Sequence, residues 1–420
     1  MKKATVFLLS LCLLAAICLP VSALRQVEIQ KTASYQGQFA DVPAGNWCAE
    51  YVKTVYEYGI MGGVSETAFN PNGTLSTAAA IAIACRLHNL YFGMGADFSL
   101  EGFWFDGYEA YAIKAGIIPD KKTYVYDTPV TRATFATFIS NALYEADLQQ
   151  INEIPDGSIP DVTSGTPYRD AVFALKNAGV LNLSDADLES LGQTIGHYES
   201  TGNIYEFLYG VDPLLIRDRS YSAIYRLYRA GILTGNDAYG TFTPNAGITR
   251  GSAAAMISRV LEPSLRKNIV LTRKPVSLVP MNQLANYSRL RKNTSQKEFT
   301  QAYEAARKIV EPLAHLDREA QICGIAAALH IVQLEGTYSM TEPHYNDPYG
   351  LLILHIYSCA GTTRACGLCL NMLGIPYEHM NENQYAHQWA RVNVSGTYWA
   401  CDANGGVCMP EKAPYKHPKM

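Results

Sequence analysis

Cys359, His387 and Asp402 are the residues of this chain whose types and order could do covalent chemistry: a thiol to attack, an imidazole to take its proton, and a carboxylate to hold the imidazole. Cysteines at 323, 359, 366, 369, 401 and 408 crowd the same C-terminal region. Two other chemistries use such a cluster. Cys366-Gly-Leu-Cys369 has the C-x-x-C spacing of a zinc site or a redox pair. Zinc would need a second pair, and Cys401 and Cys408 are separated by six residues. A redox pair opens a helix, whereas this one sits inside one: Ala365, Leu368, Cys369, Met372 and Leu373 follow the i, i+3, i+4, i+7, i+8 stripe of a buried face. Cysteine is among the most buried residue types, so this pair reads as core, with no metal and no cofactor expected.

The elements that must position the three residues can be read locally. Cys359 precedes Ala360-Gly361-Thr362-Thr363, at the start of a helix that ends at Leu373-Gly374-Ile375-Pro376. A thiol there faces unsatisfied amides and the positive end of the helix dipole, both of which favour thiolate. From His387 to Val394 the residues alternate as a strand, Ser395-Gly396 makes a turn, and Tyr398 to Asp402 reads as the returning strand. Such a hairpin brings His387 and Asp402 to neighbouring strand ends. Upstream, one amphipathic helix runs from Lys297 through Phe299, Tyr303, Ala306 and Ile309-Val310. A second follows Asp317 through Ile322, Ile325, Ala326, Leu329 and Val332, and the two supply a helical layer. His344 and His355 begin no strand with the right continuation and read as ordinary loop or core residues.

Residues 299–408 resemble the transglutaminase-like cysteine-enzyme superfamily in its bacterial extracellular branch. The family pattern has Cys-x-Gly with Gly-Ile fifteen residues after the cysteine, here Cys359, Gly361 and Gly374-Ile375. It continues with His-x-Trp, a glycine nine residues on and an aspartate fifteen on, here His387, Trp389, Gly396 and Asp402. Tyr349-Gly350-Leu351 fits the approach to the nucleophile. Aligning on Cys366 would leave only eight residues to Gly374. Thr362 and Thr363 depart from the family, which usually has an aromatic residue and then alanine there. The resemblance implies an α+β, papain-like/transglutaminase-like domain over 297–420, with Cys359, His387 and Asp402 as a catalytic triad and a thioester intermediate. Its substrate would be a protein or wall peptide; peptidase or amidase hydrolysis and acyl transfer to an amine stay open. The other function class is a non-catalytic wall-bound scaffolding protein with an inactive domain of this kind.

Before residue 262 the chain is repetitive. A helix-like stretch ending in small-Gly-apolar recurs at Tyr58-Gly59-Ile60, Ala115-Gly116-Ile117, Ala178-Gly179-Val180 and Ala230-Gly231-Ile232. A glycine closing a helix takes the left-handed cap without steric cost. Each is followed by a hydroxyl residue suited to capping the next helix: Ser76, Thr131, Thr194 and Thr249. Val130-Thr131-Arg132 and Ile248-Thr249-Arg250, together with Phe39-Ala-Asp41-Val42, Ile159-Pro-Asp161-Val162 and Gly240-Thr-Phe242-Thr-Pro244, resemble the S-layer homology (SLH) repeat. That resemblance implies an all-α pseudo-trimer of helical repeats binding an anionic secondary cell-wall polymer, with Arg132, Arg250 and Asp41 as its candidate contacts. Repeats are placed at 36–95, 100–147 and 157–262. The stretch around Gly179 is either a degenerate fourth repeat or an insertion. Cys48 and Cys85 are either buried apolar residues or a disulfide.

Length and charge bound the rest. At 420 residues the chain holds two or three domains of roughly 150 residues. Its 34 basic and 38 acidic residues give a net charge of −4, which argues against nucleic-acid binding by bulk electrostatics. Lys2-Lys3, an apolar run from Val6 to Leu19 and Val21-Ser22-Ala23 have the form of a secretory signal, 1–23. Cleavage there removes Cys12 and Cys18 and leaves a chain with no later stretch apolar enough to span a bilayer. The expected location is secreted, at the cell wall or surface. Residues 263–296, with Arg266, Lys267, Arg273, Lys274, Arg289, Arg291 and Lys292, read as a solvated linker.

Overall fold

The computed structural model describes residues 29–99, 102–120, 124–144, 147–182, 184, 218–384 and 386–411; the expected signal segment and Thr194 lie outside them. The described residues fall into two compact units, one within 1–153, 223–234 and 244–269, the other within 154–222, 235–243 and 270–420. In chain order the α-helices of the described residues before residue 262 are α1 (Ala49–Glu57), α2 (Thr77–Phe92), α3 (Asp106–Lys114), α4 (Arg132–Asn141), α5 (Pro167–Asn177), α6 (Arg219–Arg229) and α7 (Arg250–Leu261).

The first unit is organised by a ring of three short extended segments. The N–H of Leu75 donates to the Ile248 carbonyl (3.0 Å), that of Ile248 to Val130 (3.1 Å) and that of Val130 back to Leu75 (3.0 Å). Bridges Thr74 to Thr249, Ser76 to Pro129 and Thr131 to Gly247 flank the ring. Each segment then enters a helix through its hydroxyl: Ser76, Thr131 and Thr249 accept from Ala79, Thr134 and Ser252 N–H at 3.3, 3.1 and 3.2 Å. The local reason is the order apolar then hydroxyl. The apolar side chain at Leu75, Val130 or Ile248 is buried in the middle, and the hydroxyl satisfies an orphan amide of the helix that follows. Gly59, Gly116, Gly179 and Gly231 all take the left-handed conformation expected of them. Cys48 and Cys85 are buried free thiols, which resolves that alternative in favour of packing.

Asp41 and Asp161 decide how the last repeat is built. Asp41 accepts from the N–H groups of Phe69 (2.9 Å) and Asn70 (2.6 Å). Asp161 does the same with Phe242 (2.8 Å) and Thr243 (2.6 Å), and Asn70 and Thr243 share a positive φ. A loop opened at Asp161 is thus closed only at Phe242. Helix α5, which lies between them in sequence, packs instead in the core of the second unit, where Ala171, Val172 and Leu175 are fully buried. The Gly179 stretch thus lies in sequence between the two ends of one such clamp.

The second unit continues with α8 (Tyr287–Arg291), α9 (Gln296–Val310), α10 (Arg318–Leu334), β1 (Thr337–Tyr338), β2 (Ile356–Tyr357), α11 (Cys359–Met372), β3 (Glu378–Met380), β4 (Trp389–Val394), β5 (Thr397–Asp402) and β6 (Val407–Pro410). Strands β3-β4-β5-β6 form an antiparallel sheet in that order, and β1 pairs with β2 in parallel. Ser395 and Gly396 both have positive φ, the requirement of the tight turn whose twist matches a hairpin. Helix α9 opens with a capping box between Ser295 and Glu298.

The connector differs from the solvated linker expected of it. Leu284 and Leu290 are buried in the core of the second unit. Val279 N–H donates to Met372 O (2.8 Å), and the Tyr303 hydroxyl donates to Val279 O (3.0 Å). The charge run concealed a stretch whose apolar residues pack while its lysines and arginines remain at the rim. A disulfide, Cys323–Cys408, ties α10 to β6. Cys366, Cys369 and Cys401 are free and fully buried, in keeping with the core reading of the C-x-x-C pair.

Candidate functional site

Cys359 is the first residue of α11. Its N-cap, Ser358, accepts from Gly361 N–H (3.5 Å) and donates its hydroxyl to Tyr345 O (3.0 Å). Residue 361 has to be glycine for a steric reason: a Cβ there would stand 2.5 Å from the Tyr345 carbonyl oxygen. The cap and the close crossing of residue 345 hold the cysteine at the positive end of the helix with its side chain partly exposed.

His387 lies just before β4, held by Asn381 Nδ2 donating to its carbonyl (2.8 Å). Its Nε2 is 2.6 Å from Asp402 Oδ2, and Asp402, the last residue of β5, is 1% exposed. The register Ala390 opposite Cys401 sets these two side chains at the same end of the hairpin. Trp389 stacks parallel to the imidazole at 6.1 Å between centroids, and its Nε1 donates to Glu411 (2.7 Å). Along β5 the alternation turns Cys401 the other way, against Ile322 O.

The electrostatics link the three residues. Burial alone would lower the His387 pKa, but the hydrogen bond and charge of Asp402, with the Cys359 thiol, raise it to about 9. Burial would raise the Cys359 pKa; hydrogen bonds from His387, the Gln388 backbone N–H and the Tyr338 hydroxyl overcome this and lower it. Both shifts favour the thiolate and the imidazolium.

Sequence reasoning missed Tyr338 and Gln333. Tyr338 reaches the thiol because β1 pairs with β2 residue for residue, Tyr338 against Tyr357, two positions before Cys359. A two-residue strand has no periodicity to reveal it. Gln333 is buried on α10 and donates to Thr362 Oγ1 (2.6 Å) and Asn404 Oδ1 (3.0 Å), while Asn404 N–H donates to Asp402 Oδ1 (3.0 Å). Thr362 is thus the partner of a polar chain that leads through Asn404 to Asp402.

The array residues sit elsewhere. Arg250 donates to Phe69 O (2.7 Å) and Gly62 O (2.6 Å), with its guanidinium 4.6 Å from the Phe69 ring centroid. Asp41 clamps the same loop. Arg132 heads α4 with its N–H on Ala246 O (2.8 Å).

Loop clamps of this kind, repeated around a ring of capped helix starts, are accompanied by a family match. The S-layer homology domain matches residues 38–80 and 218–254. SLH domains bind secondary cell-wall polymers, which associates this chain with the cell surface. A comparison with curated proteins gives no match. Among the described residues no helix is long and apolar enough to cross a membrane, and no cluster of His, Cys, Asp and Glu is arranged to hold a metal ion.

Proposed function

We propose that the second unit is a thiol enzyme acting on carboxamide or peptide carbonyls, kept at the cell wall by the SLH repeats. What carries this reading is the His387 Nε2 to Asp402 contact of 2.6 Å, on an imidazole that also acts on a thiol at a helix N-terminus. With Nε2 committed to Asp402, Nδ1 is the nitrogen left for the thiol. Cys359 Sγ attacks the carbonyl carbon, the oxygen takes up the negative charge, and His387 delivers its proton to the departing amine. The carbon–nitrogen bond breaks and a thioester remains. The second nucleophile then attacks, giving up its proton to His387 as the thiolate leaves. The N–H groups of Cys359 and Ala360 and the Tyr338 hydroxyl supply donors for the oxyanion.

Water as the second nucleophile makes this a peptidase or amidase, and an amine makes it a crosslinking acyltransferase. An acyl-donor and amine-acceptor assay over peptide libraries separates the two. The primary test treats the full chain with limiting iodoacetamide near neutral pH and maps the modified cysteines by mass spectrometry. Selective modification of Cys359, lost in His387→Ala, is expected. Cys48, Cys85, Cys366, Cys369 and Cys401 are fully buried and form a quiet background. Uniform slow labelling, or none at Cys359, refutes the enzyme and leaves a wall-bound scaffold.

A further inference from the structure

The second unit holds a cationic recess that the triad does not use. Asn286, Arg289 and Leu290 from α8 and its approach, Arg364 from α11, and Tyr377, His379 and Glu382 around β3 line it. Arg364 is 4% exposed. Its Nη1 points back along the helix to Ala360 O (3.4 Å) and to Asn346 O (3.1 Å), and its Nη2 meets Glu382 (3.2 Å). Nε of Arg364 is buried and finds no acceptor among the described residues. Arg289 also pairs with Glu382 but is largely exposed. Lys292 follows at the end of α8, close enough for Arg364 to depress its pKa beyond what burial does.

Among the described residues, two guanidinium groups of the recess therefore share one carboxylate, Glu382. Asp347, the other acid acting on Arg364, is committed to His344 (2.9 Å) and to Gly350 N–H (3.1 Å). His379 adds no further positive charge, because burial, with the charges of Arg364, Arg289 and Lys292, pushes its pKa down to about 4. A buried guanidinium with an orphan N–H is costly unless something accepts from it. The recess is also next to the reaction. Arg364 lies over the first turn of α11, and His379 bonds Gln388 Oε1 (2.7 Å), whose own N–H acts on the thiol.

We propose that Arg289 and Arg364 form a subsite for a carboxylate of the substrate, with Arg364 five residues along α11 from Cys359, so that the enzyme selects acid-bearing peptides. This deepens the thiol-enzyme reading and rests on it. Glu382 holds the arginines in place and competes with the incoming acid.

The test uses two alkylating reagents of equal length, the α-amides of N-bromoacetyl-glutamate and N-bromoacetyl-glutamine, which differ only by carboxylate for carboxamide. Their rates of modification of Cys359 in the full chain are read by mass spectrometry, against a free cysteine peptide. The wild-type ratio is expected to favour the glutamate reagent. Arg289→Gln should lower it by about 2- to 30-fold, the span for one unit charge at roughly 8 Å between water-like and protein-surface screening. Glu382→Gln should raise it. A wild-type ratio equal to that of the free peptide, with both reagents labelling Cys359, overturns the subsite and leaves the recess as a packed ion network holding water. Failure of both reagents at Cys359 overturns the nucleophile itself, and the subsite with it.

Discussion

The repeat array and the C-terminal unit use the same device for different ends. In each, a hydroxyl residue caps a helix: Ser76, Thr131 and Thr249 in the array, Ser358 in the C-terminal unit. What differs is the next residue and what lies opposite it. After Thr249 comes Arg250, whose guanidinium binds the carbonyls of Phe69 and Gly62. After Ser358 comes Cys359, left partly exposed and facing His387 and Tyr338. A capped helix start offers a fixed position and a positive field, and the packing across from it decides between a clamp and a partly exposed thiol.

The comparison breaks most sharply at the nucleophile. Cys359→Ala should abolish acyl transfer or hydrolysis, a loss of at least about 10³-fold in turnover, while the full chain still sediments with purified wall sacculi. Release of the variant from the sacculi would show that the two units are not separate in function. Asp402→Asn should lower kcat by about 10²- to 10⁴-fold, because the imidazole loses the partner that fixes its tautomer and stabilises its charge. The sign of the pH effect follows from the two shifts. Cys359 alkylation should reach its plateau below the ordinary thiol pKa of about 9 and stay there as pH rises. Turnover should fall as pH passes through about 9, where His387 loses its proton. In His387→Ala the alkylation profile should move upward, since burial then acts on the thiol with less to oppose it; an unmoved profile would sever the two residues.

Stability changes are smaller and sharpen the contrast. Cys323→Ser should cost the C-terminal unit about 3–4 kcal/mol, as removal of a bridge spanning 85 residues typically does, read as lost amide-exchange protection in α10 and β6. Least of all, Thr131→Ala, Thr249→Ala and Ser358→Ala should each cost about 1 kcal/mol by denaturant unfolding, through the orphaned helix amide. Only Ser358→Ala should also slow Cys359 alkylation. If the array variants slow it equally, the cap is not specific to the nucleophile.

Much of this was legible because it is local. Helix α11 begins at Cys359 and stops before Gly374, and the hairpin turns at Ser395-Gly396, as residue type and spacing require. The connector was misread because charge density is a property of composition, whereas the burial of Leu284 and Leu290 depends on where α11 passes. Tyr338 had no signal, since a pairing of two residues leaves no period. The clamp of Asp161 on Phe242 had no local signal either, since α5 lies between the two in sequence.

By itself the sequence determined what a few consecutive residues can settle among themselves: the caps, the left-handed glycines, the alternation of β4 and β5, and the order of a thiol, an imidazole and a carboxylate. These depend on hydrogen bonds and side-chain periods that close within one or two turns of chain. Tertiary structure decided which distant groups meet. The hydrogen-bonded ring through Leu75, Val130 and Ile248, the Tyr338 hydroxyl at the thiol, the Cys323–Cys408 bridge and the cations around Glu382 all join residues remote in sequence. Their proximity is set by strand register and helix packing, which no local pattern encodes.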